Sequence, residues 1–323
     1  MTRPVGHAAP SPAPRAPRRR RLFTFALKLT VTAAALAFAF SRTSLPDLAV
    51  AVRRLHPSAV VLAVVLTLAN LVLAAVRWRI LLAAYGATTA PSLAFLARAQ
   101  LVGHFYNTFL PANVTGDLLR AHVTRTSFPA PATAYMVVVL ERFFGLAGLF
   151  TLGALTLTLH PLPGVLRPEL LALLALAAAC TILLLPFAGR TLARRLPARL
   201  APLADKLPAA PRPALLALVL ALAVVTHTLV ALTGHVLVAA IAPQVSAPES
   251  LVLIPLAMIA TFLPFSVAGL GVRETAFVLL FAQVGVSSAD ATAASLAFFA
   301  VYALVAALGG LMHLARPLEP QQG

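Results

Sequence analysis

Long apolar runs dominate the chain and leave it very few folds. A helix needs roughly 20 apolar residues to cross the ~30 Å hydrocarbon core of a bilayer. Runs near or above that length occupy 22–40, 59–76, 131–159, 168–188, 213–242 and 290–314. Because lipid offers the backbone no hydrogen-bond partners, such runs must form helices. The expected fold class is all-α, a polytopic transmembrane helical bundle of about seven to nine membrane segments.

The charge pattern favours a membrane and argues against nucleic acid. The chain carries 25 Lys and Arg residues but only 9 Asp and Glu residues, a formal net charge of +16. A nucleic-acid site would gather this charge on one face. Here the arginines stand at the ends of apolar runs, where they set topology and meet anionic lipids. We therefore expect membrane lipids and anionic head groups as partners, and no nucleic acid.

The termini and one basic loop predict the orientation. Residues 1–21 are rich in Pro and Ala and end in four arginines, so we expect a disordered cytoplasmic tail. The first run has no small-residue cleavage site and is interpreted as an uncleaved helix. The positive-inside rule places the basic loop 189–212 in the cytoplasm. The expected layout is a single transmembrane domain over 22–316 and a short tail over 317–323, in the cell membrane with a cytoplasmic N-terminus.

Arg77 and Arg79 directly follow the second apolar run. If two crossings separate them from the N-terminal arginines, they lie at the same face of the membrane. We therefore expect them to mark the cytoplasmic end of that span.

Two regions fit poorly as simple spans, and they contain a repeated phrase. Residues 108–116 are TFLPANVTG and residues 261–269 are TFLPFSVAG, which agree at six of nine positions. Proline and glycine at these places predict a re-entrant or broken helix in each copy. The expected helix-breaking or gating residues are Pro111, Gly116, Pro264, Gly269 and Gly271.

The spacing of the two copies predicts an inverted repeat. Three predicted spans lie between them, so the second copy enters the membrane from the opposite side. In transporters, paired broken helices of this kind surround one substrate site. The alternative is a chance recurrence of the phrase in a Leu-rich chain.

Six ionisable residues follow the two phrases or interrupt an apolar run, and each charge at membrane depth costs about 2.5–3.5 kcal/mol. Asp117 and Arg120 are three residues apart and can pair on one helix. Glu141 and Arg142 are adjacent and point about 100° apart, so each should find a partner elsewhere. The alternatives are a helix end for the first pair and a structural ion pair for the second.

Arg273 and Glu274 complete a set of three acids and three bases, which we expect to form one neutral cluster. Arg98 is then the surplus cation, and a buried guanidinium prefers an oxyanion such as phosphate. His104, His227 and His235 lack a spaced second ligand, so packing or helix–helix hydrogen bonds are expected and no metal site.

Three segments carry a family resemblance. NTFLPANVTGDLLRA, VVLERFFGLAGL and LPFSVAGLGVRETA resemble, in this order, signature blocks of the lysylphosphatidylglycerol synthase transmembrane-region family of flippase-like proteins. The resemblance covers about residues 22–316 and departs at 112–115, where glycines are more usual. It implies site residues Asn107, Pro111, Gly116, Asp117, Arg120, Glu141, Arg142, Pro264, Gly269, Gly271, Arg273 and Glu274.

The family is similar in layout to the membrane half of bacterial aminoacyl-phosphatidylglycerol synthases, which translocates the modified lipid. The leading hypothesis is therefore translocation of a phospholipid or lipid-linked head group between leaflets. The expected substrate-binding residues are Arg98, Asn107, Asp117, Arg120, Glu141, Arg142, Arg273 and Glu274. No soluble acyltransferase-like domain follows the last run, so we do not expect this chain to synthesise the lipid.

Two other functions stay open. A membrane glycosyltransferase using a lipid-phosphate sugar donor would need closely spaced acidic residues, and no two of the nine acids lie within two residues of each other. No other catalytic motif is found, so we expect neither an enzyme nor a cofactor. An accessory subunit could instead anchor a partner through the basic loop.

Overall fold

The computed structural model describes residues 43–89, 91–110, 114–162, 167–187, 212–262 and 271–319, with a few positions between 30 and 41. The described residues form ten α-helices and no strand, which confirms the expected all-α bundle. The helices are α1 Leu45–Arg53, α2 Pro57–Ala84, α3 Leu93–Phe109, α4 Thr115–Val123, α5 Ala132–Leu159, α6 Pro168–Phe187, α7 Pro213–Ile241, α8 Ala247–Phe262, α9 Val272–Phe281 and α10 Ser288–Ala315. The basic tail, most of the first apolar run, most of the basic loop, Pro111, Pro264 and Gly269 lie outside the described residues.

Within the described part of the chain, four helices are long and apolar enough to cross a membrane, namely α2, α5, α7 and α10. Each has 28 or 29 residues, about 42 Å at 1.5 Å per residue. They confirm the runs at 59–76, 131–159, 213–242 and 290–314. The 20-residue α6 matches the run at 168–188.

One boundary prediction is wrong. We expected Arg77 and Arg79 to follow the second span, but α2 continues to Ala84 and contains both. The helix continues because apolar residues resume directly after Arg79, and because the buried guanidinium of Arg77 finds partners inside the bundle. Arg79 is exposed.

The helices occur as two similar series. From α2 to α5 the lengths are 28, 17, 9 and 28 residues. From α7 to α10 they are 29, 16, 10 and 28 residues. A short 3-10 turn follows the shortest helix of each series, at Arg125–Ser127 after α4 and at Ala282–Val284 after α9. The repeated phrase of the sequence is therefore part of a repeat of four helices.

The pairs α3–α4 and α8–α9 are helical hairpins that open at opposite ends of the bundle. The Thr88 amide, after α2, donates to the Ser127 carbonyl at 2.8 Å, so the first hairpin begins and ends together. Arg54, before α2, donates to the Ile241 carbonyl at 3.3 Å and to Asp290 at 3.2 Å, which joins the two ends of the second hairpin. Since α2 separates Arg54 from Thr88 by about 42 Å, the hairpins have the contrary directions that the repeat predicted.

Glycines allow the first hairpin to pack closely. A Cβ atom on Gly116 would collide with the carbonyl oxygen of Gly103, so α3 and α4 touch backbone to backbone. A Cβ atom on Gly309 of α10 would likewise collide with the carbonyl oxygen of Leu101. Small residues at such crossings are typical of membrane helices, where van der Waals packing drives association.

Candidate functional site: a buried charge cluster

Glu141 of α5 lies at the centre of a buried ion cluster. The residue is 3% exposed. Its Oε1 accepts hydrogen bonds from Arg77 Nη2 at 3.2 Å and from Gln100 Nε2 at 3.4 Å. Its Oε2 accepts from Arg120 Nη2. A lone carboxylate at this depth would be very costly, so the two guanidinium groups are what allow it to stay ionised.

Asp117 of α4 is the second carboxylate of the cluster. Its Oδ1 accepts from Arg120 Nη1 at 3.4 Å and from Asn107 Nδ2 at 3.5 Å, and its Oδ2 accepts from Arg142 Nε. The Asn107 side chain also accepts from the Gly116 amide at 2.8 Å, which fixes the start of α4. The predicted Asp117–Arg120 pair is confirmed.

The prediction for the adjacent pair on α5 is also confirmed, since Glu141 and Arg142 bind different partners. Glu141 faces Arg77 and Arg120, whereas Arg142 faces Asp117. Adjacent positions on a helix point about 100° apart. The two side chains of α5 can therefore bind partners on different sides of the helix.

Sequence reasoning missed Arg77 as a site residue. Its side chain is 10% exposed and its Nη1 donates to Thr226 Oγ1 of α7 at 3.1 Å. The neighbouring Trp78 lies under the Arg120 guanidinium, with Cζ 4.4 Å from the ring centroid. The apolar residues on both sides of Arg77 were the signal that this arginine lies inside a span.

The cluster has more positive charge and more donors than its own carboxylates use. Three guanidinium groups, those of Arg77, Arg120 and Arg142, face two carboxylates, which leaves one positive charge. Three buried donors of the cluster, Arg77 Nε, Arg120 Nε and Trp78 Nε1, have no hydrogen-bond partner in the described structure. Unsatisfied donors beside excess positive charge favour an anion.

The corresponding place in the second half holds a smaller, balanced group. Arg273 Nη2 donates to Glu274 Oε1 at 2.6 Å, and Arg273 Nε donates to Ser295 Oγ at 3.1 Å. Ser295 in turn donates to Glu274 at 3.2 Å. Glu274 Oε2 accepts from the amide of Gly271, whose φ of 81° suits glycine.

The six charges expected in one cluster therefore form two groups, one on α4 and α5 together with Arg77 of α2, and the other on α9 and α10. The expectation of one neutral set is wrong for two reasons. The ion pairs form within each half of the bundle, and Arg77 adds a cation to the first group. Arg98, expected as the surplus buried cation, is partly buried and donates to the Arg316 carbonyl at the end of α10. Its contribution to substrate binding stays a prediction.

The three isolated histidines make the interhelical hydrogen bonds that were expected. His104 contacts the Tyr302 carbonyl at 3.1 Å, His227 contacts the Gly145 carbonyl at 2.8 Å, and His235 contacts Ser250 Oγ at 2.9 Å. These contacts join α3 to α10, α5 to α7, and α7 to α8.

The helices that build both groups match a known family. The model of the Lysylphosphatidylglycerol synthase TM region matches residues 25–310. The chain belongs to this family. No relative among curated proteins matches the chain. Lysylphosphatidylglycerol synthase transmembrane regions are membrane domains of flippase-like proteins, so the charge cluster belongs to a multi-pass membrane domain in a lipid environment.

Proposed function

We propose that this protein translocates a phosphate-bearing lipid, a phospholipid or a lipid-linked head group, between the leaflets of the cell membrane. The carrying observation is the buried cluster around Glu141, with one uncompensated positive charge and three unpaired donors. A phosphate is the anion that guanidinium groups bind best, by paired charge-assisted hydrogen bonds. The N-terminus is proposed to lie in the cytoplasm, as the arginine distribution favours.

The two carboxylates have a definite part in this proposal. Asp117 and Glu141 hold the guanidinium groups in place inside an apolar bundle, where free arginines would turn toward the interface. They also limit the net charge, so that a bound phosphate is attracted but not trapped. Transport requires binding that is favourable and still reversible.

The two hairpins support a path between leaflets. Arg77 lies seven residues before the end of α2, and Ser295 lies seven residues after the start of α10. Each is thus about 10 Å from its own end of the bundle, and those ends are opposite. The polar group near each end of the bundle would bind a head group from the nearer leaflet, and movement of the hairpins would open the path between them.

The test is lipid translocation by purified protein in vesicles that contain head-group-labelled fluorescent phosphatidylglycerol, with dithionite as the impermeant quencher. Arg120→Gln removes the excess charge, so we expect weaker binding and at least about tenfold slower translocation, or ~1.4 kcal/mol. Glu141→Gln raises the charge to +2, so we expect tighter binding and slow release. The lipid concentration for half-maximal rate should therefore move in opposite directions in the two variants.

The control is Arg79→Gln, which removes an exposed arginine two residues from Arg77 and should leave translocation unchanged. Arg273→Ala reports on the second group and is also expected to slow translocation. Equal rates in the wild type, Glu141→Gln and Arg273→Ala would exclude both groups from the path.

A further inference from the structure

A slot on the outer surface of the bundle lies between the first hairpin and α5. Its volume is about 420 Å³, and its lining residues are Tyr106, Thr115, Leu118, Leu119, His122 and Tyr135. Four of these six side chains carry a hydroxyl or an imidazole group. Among the described residues, the hydroxyls of Thr115 and Tyr135 and the imidazole of His122 make no hydrogen bond. The slot therefore has free polar groups inside a largely apolar wall.

The outer face of α5 connects this slot to the cluster. Tyr135, Val139 and Arg142 are exposed, and their spacing of four and then three residues puts them on one stripe. The Arg142 side chain is 43% exposed while it binds Asp117. Arg77 and Arg120 are buried, with side chains 10% and 8% exposed. A ligand that moves from the slot along this stripe therefore reaches Arg142 before it reaches the other two cations.

We propose that the slot admits the head group of a lipid with a single phosphodiester, and that Arg142 is the first cation to bind its phosphate. This inference rests on the proposed function. One phosphodiester charge neutralises the single excess charge of the cluster, whereas a diphosphate would add an unpaired negative charge to a buried site. Leu118 and Val139 are 56% and 53% exposed, so the slot is open sideways and the acyl chains stay in the bilayer.

Entry exchanges one ion pair for another. The phosphate competes with Asp117 for Arg142, and Asp117 keeps Arg120 and Asn107 as partners when Arg142 turns to the lipid. No buried charge is left alone during the exchange.

The test is photo-crosslinking with p-benzoylphenylalanine at Leu118, in full-length protein reconstituted into vesicles. The vesicles contain equal parts of phosphatidylglycerol and digalactosyldiacylglycerol with the same acyl chains. The matched control position is Leu279 of α9, which is 54% exposed on the corresponding short helix. The one arginine of α9 is buried, and α10 contains none.

We compare the ratio of crosslinked phosphatidylglycerol to crosslinked digalactosyldiacylglycerol at the two positions. This ratio should be about fivefold higher at Leu118 than at Leu279, which corresponds to about 1 kcal/mol. Arg142→Ala should abolish this preference. Arg142→Lys keeps the positive charge and should keep part of the preference, so it serves as the control that the site still folds when Arg142 is replaced. Equal lipid ratios at Leu118 and Leu279, or a preference that survives Arg142→Ala, would overturn the inference.

Translocation measured in the same vesicles distinguishes a failure of the slot proposal from a failure of the transport proposal. Translocation without a preference at Leu118 would refute the slot and leave the transport proposal standing. An Arg142-dependent preference without translocation would leave the slot as a lipid-binding site and refute transport.

Discussion

At the scale of single residues, Glu141 allows two buried arginines to exist in an apolar bundle. It accepts hydrogen bonds from Arg77 and Arg120 on different helices, so it also joins α2, α4 and α5. Asp117 does the same for Arg120 and Arg142, but one of these partners is half-exposed. Loss of Glu141 should therefore cost the fold more than loss of any surface pair.

Glu141→Ala is expected to destabilise the protein by about 3–5 kcal/mol, because it leaves two buried guanidinium groups without their main partner. The measurement is the free energy of unfolding in mixed micelles, followed by circular dichroism. The control is Arg54→Ala, which breaks the Arg54–Asp290 pair, whose side chains are 50% and 17% exposed. We expect about 0–1 kcal/mol there. Similar losses in the two variants would mean that the buried cluster contributes no more than a surface ion pair.

At the scale of helices, the nine-residue α4 depends on its contact with α3. One face carries Gly116, Asp117 and Arg120 into the bundle, and the opposite face carries Leu118 and His122 to the slot. So short a helix is not stable alone. The close backbone approach of Gly103 and Gly116 and the Asn107 hydrogen bond to the Gly116 amide hold it in place.

Gly116→Ala should disturb this hairpin, because the added Cβ would meet the Gly103 backbone, which cannot rotate away. We expect about 1–3 kcal/mol of destabilisation, as in other overpacked contacts, together with slower lipid translocation. The control is Gly145→Ala on α5, whose added Cβ has no neighbour closer than 3.9 Å. That substitution should be neutral or stabilising by up to ~1 kcal/mol, because alanine favours a helix. Equal thermal stability of the two variants would contradict the tight hairpin.

The sequence predicted the long helices and the hairpins better than it predicted the site. Continuous apolar runs leave a chain in lipid little choice but helices, and the two TFLP phrases located both hairpins. Arg77 was missed because an arginine directly after an 18-residue, mostly apolar run has the pattern of a topology signal. Only the three-dimensional packing of α2, α5 and α7 shows that Glu141 and Thr226 lie beside it.

At the scale of the whole molecule, the two halves share their helices but differ in their chemistry. Arg120 and Glu141, 21 residues apart, join a short helix to a long one in the first half. Glu274 and Ser295 do so at the same spacing in the second half. The second group has one arginine and one carboxylate, bridged by the Ser295 hydroxyl, so it is neutral and internally paired. This asymmetry is why we assign the phosphate to the first half.

The opposite directions of the hairpins make a prediction for the protein in its membrane. Thr126 and Gln283 are exposed residues in the 3-10 turns that follow α4 and α9. In a background with the single Cys180 replaced by Ser, we expect Thr126→Cys to react with an impermeant maleimide from the cytoplasmic side and Gln283→Cys from the opposite side. The measurement compares intact cells with inverted membrane vesicles.

Two further cysteine variants serve as controls for this labelling, because each lies at the base of one hairpin and so at a known end of the bundle. Thr89 lies near Ser127 at the base of the first hairpin, because the neighbouring Thr88 amide donates to the Ser127 carbonyl. Thr89→Cys should therefore react from the same side as Thr126→Cys. Asp47 lines a polar pocket with Arg54 and Asp290 at the base of the second hairpin. Asp47→Cys should therefore react from the same side as Gln283→Cys. If Thr126→Cys and Gln283→Cys reacted from the same side while these two controls reacted from opposite sides, the hairpins could not serve opposite leaflets. The path between the two charged groups would then have no second entrance.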